Sequence, residues 1–205
     1  VDNTFYDNER GVDIDRSNKI GILNNMISNT SDTVIDIAHS NQNTIKDNTI
    51  DKAIGDCIIL LGSDNNTLQN NKISNTEDPP VPFTVPEGSA IYIYNSNGNI
   101  ISSNTATDNK WGIYIGKSKN NLIENNTIRS CEFAGINIWG EYQNNVIHNS
   151  ISANDGSGII IKHISDIKIR HNEIFNNDED AMKIRHVDDS IISFNQIYNN
   201  HVGLS

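Results

Sequence analysis

Apolar residues recur along this chain in columns about 23 residues apart. One column is aliphatic: Ile22, Ile45, Leu68, Ile101, Ile123, Val146, Ile169 and Ile192. Three residues after each stands an asparagine: Asn25, Asn48, Asn71, Asn104, Asn126, Asn149, Asn172 and Asn195. Two residues further on comes a second apolar column, Ile27, Ile50, Ile73, Ala106, Ile128, Ile151, Ile174 and Ile197. The asparagines are separated by 23, 23, 33, 22, 23, 23 and 23 residues. A third element opens each repeat, a small residue followed by aliphatic-x-aliphatic, as in Gly112-Ile113-x-Ile115 and Gly135-Ile136-x-Ile138. Alternation with period two and β-branched enrichment predicts short strands, and the Asn, Asp, Gly and Ser clusters between them predict turns. In-register columns at a fixed period mark a solenoid.

The expected architecture is all-β: a right-handed single-stranded parallel β-helix of about eight coils, each contributing one strand to three sheets around an aliphatic core. The hand follows the usual preference of parallel crossovers. A leucine-rich repeat has a similar period, but isoleucine dominates here and no segment has the composition of a convex helix. The asparagine column is read as structural, because a buried amide must pair its donors and acceptors and a neighbour one coil away supplies them.

The regularity breaks once. The 33-residue step holds a proline-rich stretch over residues 76–88 with all four prolines of the chain. Proline cannot donate to a ladder, so this stretch is expected to project beside the first sheet, as a tolerated insertion or as one wall of a cleft. Residues 1–205 read as a single domain. Asn3-Thr4-Phe5 reads as the end of an earlier coil and Val202-Gly203-Leu204 as the start of a further one. The expectation is a fragment of a longer chain, with open coil ends covered by further domains or by self-association.

Charge narrows the partners. Charged residues are 20% of the chain and the formal net charge is −11, which argues against nucleic acid and anionic membrane surfaces. No apolar run approaches the roughly 18 residues of a spanning helix. Cys57 and Cys131 fall at different repeat positions on different coils and are read as unpaired.

Candidate chemistry lies on the outward face of the first sheet. Coil by coil, the outward pairs are Asp13/Asp15, Asp36/Ala38, Ile59/Leu61, Tyr92/Tyr94, Tyr114/Gly116, Asn137/Trp139, Ile160/Lys162 and Lys183/Arg185. Acids come first, aromatics lie in the middle, and cations follow. Tyr92, Tyr94, Tyr114 and Trp139 suit the apolar faces of sugar rings; β-propensity alone also places aromatics on sheets. With Asn137 and Lys183 they form the candidate substrate-binding set.

Lys162, His163, Arg185 and His186 form the candidate catalytic set. Lys162 and Arg185 share a position one coil apart, about 5 Å, as do His163 and His186. Stacked cations favour an anion between them, such as a uronate carboxylate or a sulfate. Lysine can act as base while arginine neutralises the carboxylate. A solvated basic edge offset by Asp178, Glu179, Asp180, Asp188 and Asp189 is the plainer reading. Asp155, Asp178 and Asp180 also offer oxygen ligands for Ca2+, and a carboxylate pair can hydrolyse a glycosidic bond. No cofactor is required for the lyase or hydrolase readings, and Ca2+ is a possible one.

The unit Asn126-Thr127-Ile128 with Gly135-Ile136-Asn137-Ile138 resembles the repeats of right-handed parallel β-helix proteins that act on carbohydrates. These include pectate lyases, chondroitinase B and alginate lyases, polymannuronate C5-epimerases and NosD-like periplasmic proteins. The resemblance implies this fold and a substrate lying along the outward face of the first sheet. The chondroitinase B and alginate lyase family uses a lysine base and an arginine on adjacent coils. Lys162 and Arg185, with His186 next to the arginine, are similar to that pair. The family's acidic calcium motif precedes the lysine, where this chain has Asp155-Gly156-Ser157. The composition also resembles β-helix segments of archaeal disaggregatases, which attack a chondroitin-like cell-wall polymer. No polygalacturonase aspartate set and no Cys/His/Met cluster suited to copper is visible. The expectation is an extracellular or cell-surface domain that degrades an acidic, uronate-containing polysaccharide as lyase or hydrolase. The alternative is a non-catalytic carbohydrate-binding or surface-structural β-helix.

Overall fold

A computed structural model of the chain describes residues 1–77, 87–140 and 142–205. Among them every regular element is a β-strand, and the strands form three parallel sheets. The first sheet has nine strands, from Val12–Asp15 to Val202–Leu204. The second has eight, from Gly21–Leu23 to Ile191–Ser193, and the third nine, from Thr4–Tyr6 to Gln196–Tyr198. Each turn of the chain therefore lays one strand on each sheet and then repeats. The aliphatic columns pair in register, as in Ile58, Ile91, Ile113 and Ile136 of the first sheet. They fill the axis of the solenoid, where most isoleucines are fully buried. No helix of the described residues is long and apolar enough to cross a membrane.

Corners explain the polar columns. Between the second and third sheets the chain turns through one residue in the left-handed region: Asn24, Asp47, Asn70, Ser103, Asn125, His148, His171 and Phe194, with φ between 54° and 58°. The next residue is the column asparagine, whose side chain lies inside the turn. Asn25 donates from its backbone and side-chain amides to Asn48 Oδ1 at 3.0 and 2.8 Å. Asn48 repeats this toward Asn71 and also donates backwards to the Ile22 carbonyl at 2.9 Å. Both side-chain protons and the oxygen are thereby satisfied without water.

The structure contains more ladders than the sequence reading found. Asn43, Asn66, Asn99, Asn121 and Asn144 form a second ladder between the first and second sheets. Ser40, Ser63, Ser96 and Ser118 run beside it, each backbone amide donating to the next hydroxyl. A third asparagine ladder, Asn154, Asn177 and Asn200, closes the corner between the third and first sheets. Their steps match the first column, so the signal was present at two further offsets.

Cys57 and Cys131 are free and buried. Residues 78–86, most of the 76–88 insertion expected from the prolines, lie outside the described residues. First-sheet strands lengthen along the stack, from four residues at Val12–Asp15 to nine at Ser157–Ser165 and Asp180–Asp188.

Candidate functional site

Parallel pairing puts the outward residues of the first sheet in two straight columns. Asp13, Asp36, Ile59, Tyr92, Tyr114, Asn137, Ile160 and Lys183 are register partners in succession. Asp15, Ala38, Leu61, Tyr94, Gly116, Trp139, Lys162 and Arg185 form the neighbouring column. The order acid, aromatic, cation expected from the sequence is thus the order on the surface.

The aromatics pack against one another. Tyr92 stacks on Tyr114 with ring centroids 5.4 Å apart and on Tyr94 at 6.3 Å. Trp111 meets Tyr114 edge-on at 5.8 Å, and Phe133 lies 5.0 Å from Trp111. Tyr92 and Tyr114 keep only 9% and 8% exposure, so they are not the open ring faces that the sequence suggested. They form a slab whose accessible edges are Tyr94, Trp139 and Phe133. Sequence reasoning missed Trp111 and Phe133, which precede the aliphatic-x-aliphatic triplet. Trp111 pairs in register with Ser89 and Ala134, and only a search of that column for aromatics would have found it.

Gly116 makes the slab compact. A Cβ there would lie 2.7 Å from Trp139 Nε1 and 3.0 Å from Tyr94 Cδ2. Without it, Tyr94 and Trp139 close across the glycine to 6.3 Å at a tilt of 48°. Lys117, the next residue, sets its ammonium 5.5 Å from the Tyr94 ring and 5.8 Å from the Trp139 ring, a cation–π arrangement.

This face carries unmet hydrogen-bonding capacity. Among its outward residues Asp36 Oδ1 and Asn137 Oδ1 are buried without a partner, and the Trp139 indole N–H faces the Tyr114 hydroxyl but makes no well-formed hydrogen bond to it. Buried polar atoms are ordinarily paired, so such atoms need a reason. At the acidic end Arg10 reaches Asp32 at 2.7 Å, Asp13 at 3.5 Å and Asp36 at 4.0 Å. Burial, and then the nearby Asp13, raise the Asp36 carboxyl above its ordinary range. Asp56 was not singled out by sequence and lies just before the strand Ile58–Leu61. It is buried, accepts the Ser89 N–H at 2.6 Å, and is pushed up to about 7 by burial. Burial likewise raises the Tyr92 hydroxyl, with Asp56 adding to it.

At the cationic end the structure divides the predicted cluster. Lys162 and Arg185 are register partners, with Lys162 half-buried and Arg185 exposed. Lys183 lies in the other column, 3.7 Å from Glu179. His163 and His186 adopt φ of 53° and 54°, and this kink turns them away from the alternation of the strand. Their rings stack at 4.7 Å and 9°. They open on a cavity of about 460 Å3 shared with Tyr142, Ser165 and Asp188. The lysine–arginine pair and the imidazole pair are therefore adjacent along the chain but face different surroundings.

Two family models match the chain: "Right handed beta helix region" over residues 1–110 and "Periplasmic copper-binding protein (NosD)" over residues 84–205. No curated protein matches it in sequence. Among solved structures it is similar to a tailspike protein of E. coli bacteriophage HK620, at 11% identity and a TM-score of 0.72, over 87% of this chain and 38% of that one. It is similar to the GH136 lacto-N-biosidase from Eubacterium ramulus, at 14% identity and a TM-score of 0.65, over 84% of this chain and 39% of that one. The Azotobacter vinelandii mannuronan C-5 epimerase AlgE6 A-module aligns at 13% identity with a TM-score of 0.56, over 86% of this chain and 58% of that one. The chain thus spans well under two thirds of each of these solved proteins.

The copper named in the second description finds no matching ligand set. Among the described residues no three of His, Cys, Asp and Glu come together. Cys57 and Cys131 are buried on separate coils. The two imidazole pairs, His163 with His186 and His148 with His171, lie parallel at 4.7 and 5.0 Å. Parallel rings point their nitrogens side by side, whereas a metal needs donors that converge on one point. Among the described residues Asp155, Asp178 and Asp180 do not come together as a group of three carboxylates.

Proposed function

The chain belongs to the right-handed β-helix family and, through residues 84–205, to the NosD family, and on that premise we propose that it binds and degrades an acidic, uronate-containing polysaccharide outside the cytoplasm. The glycan lies across successive coils on the outward face of the first sheet. The observation that carries this reading is the register-matched sequence of aromatic slab, unpaired polar atoms and cation pair on that face. Sugar rings pack on Tyr94 and Trp139, and Lys117 over those rings faces the same edge. A sugar hydroxyl satisfies Asn137 Oδ1. The carboxylate of a uronate sits at Arg185, whose planar fork matches it. The carbohydrate-related names of the structural neighbours support a glycan as ligand.

Cleavage follows as elimination. Arg185 neutralises the carboxylate, which eases loss of the adjacent C5 proton. Lys162 takes that proton, the C5–H electrons form the C4–C5 double bond, and the C4–O bond breaks. His163 and His186 open on a separate cavity, so solvent supplies the proton to the departing oxygen. The products are one unsaturated uronate end and one new reducing end.

The test is incubation of the protein with uronic-acid polymers while absorbance of unsaturated ends and reducing ends are both followed. Equal appearance of the two supports elimination. Reducing ends alone replace it with hydrolysis. Binding without either product leaves the second reading, a non-catalytic carbohydrate-binding β-helix, which the exposure of Arg185 favours. A Lys162→Ala variant as active as the parent removes Lys162 as base.

A further inference from the structure

A second groove lies on a different flank. In three consecutive coils the third-sheet strands run past their usual three residues, to Met26–Thr30, Thr49–Ile54 and Lys72–Glu77. Each is kinked by a residue in the left-handed region, Asn29, Lys52 and Asn75, with φ of 55°, 60° and 60°. The kink forms a shelf, and above it runs a groove of about 420 Å3 crossing all three coils. That volume is within the range of small-ligand sites. Ala53 and Ile54 give it an apolar floor, and Asn29, Ser31, Lys52 and Asn75 supply polar groups around it. Asp51 fixes the Asn75 amide at 2.6 Å and also accepts from Ser74 at 2.9 Å.

The groove holds an unmet hydroxyl. Thr30, Ala53 and Thr76 are register partners where later coils carry the third asparagine ladder. Thr76 donates to the Gly88 carbonyl and accepts from the Lys110 amide. Thr30 pairs in register with Ala53, which offers it no side-chain hydrogen-bond partner, and its Oγ1 is buried and unpaired. A change of χ1 rotamer redirects such a hydroxyl.

We infer that this groove is a separate subsite for a neutral pyranose, one sugar residue or two, distinct from the uronate face. The inference rests on the carbohydrate reading of the previous subsection for its ligand class. The apolar floor suits the C–H face of a sugar ring, while amides and hydroxyls at the rim suit its hydroxyl groups. Lys52 and Glu77 both line the groove and Asp51 is bonded to its Asn75 amide, so carboxylates outnumber the one ammonium there. The Lys162–Arg185 pair instead stacks two like charges. The groove therefore selects hydroxyls without selecting an anion.

The experiment is amide NMR of the labelled protein, titrated in separate arms with methyl pyranosides (neutral and 2-acetamido forms) and with uronate oligomers. The expected result is that the neutral sugars shift the amides of residues 29–31, 52–54 and 75–77. A Ser31→Trp variant, which crowds the groove from an exposed position, should weaken that binding at least ~10-fold. An Ala53→Thr variant, which restores the threonine column and gives Thr30 a neighbour, should weaken it without lowering the melting temperature. Neutral sugars that leave these amides unmoved, or bind Ser31→Trp as well as the parent, overturn the inference. Uronate oligomers that fail to shift first-sheet amides overturn the uronate reading and leave the groove standing.

Discussion

At the scale of single residues, the buried amide is the unit of stability. Asn149 accepts from both amide groups of Asn126 and donates to Asn172 Oδ1 and the Ile123 carbonyl. Replacing it with alanine strands partners on two neighbouring coils at once. Asn149→Ala should lose about 3 kcal/mol, read as a lower denaturant midpoint at unchanged slope. Asp56 offers a second check. Its carboxyl titrates at about 7 when folded against 3.8 ordinarily, so the folded state holds that proton more tightly than the unfolded chain. The resulting stabilisation is complete below pH about 4 and is lost as pH rises toward about 7. Asp56→Asn keeps an acceptor for the Ser89 amide but cannot ionise. Its advantage over the parent should be near zero at pH about 4 and grow to at most on the order of 4 kcal/mol above pH about 7. Equal pH profiles for the two proteins would show that Asp56 ionises freely.

At the scale of elements, the two outward columns of the first sheet were legible because period two fixes the face and period 23 fixes the neighbour. Lys162 and Arg185 were assigned to one column from spacing alone, and the register agrees. Packing was not legible. No spacing rule shows that Tyr92 and Tyr114 bury their rings, that Trp111 and Phe133 join them, or that a positive φ swings His163 and His186 aside. Those outcomes depend on side-chain rotamers and on corner geometry. Gly116 illustrates the point, since its value lies in an atom it lacks. Gly116→Ala forces Tyr94 and Trp139 apart, and it should weaken uronate-oligomer binding ~10-fold by calorimetry. The melting temperature should fall only slightly, because both rings lie outside the axial core.

At the scale of the molecule, the fold is nearly one-dimensional, with each coil touching only its neighbours. That is why eight in-register asparagines sufficed to specify it. They also hid the two other corner ladders, because one column already accounted for the period. Removing a whole coil should preserve everything beyond it. Thr44 and Thr67 are register partners, so excising residues 44–66 joins equivalent positions and leaves the aromatic and cationic columns untouched. The shortened protein should keep its β-sheet circular dichroism and its uronate binding while losing the groove floor at Ala53. Excising half as many residues should abolish cooperative unfolding, because it moves aliphatic columns to the outside.

In the corner ladders the backbone amide and one side-chain proton of an asparagine such as Asn126 go to the oxygen of the coil made after it, while a second side-chain proton goes back to the coil before. During synthesis a freshly wound turn therefore stays incomplete until its successor emerges. Growth from the ribosome and closure of the stack run in the same direction, with the unfinished frontier always a single turn behind the newest chain.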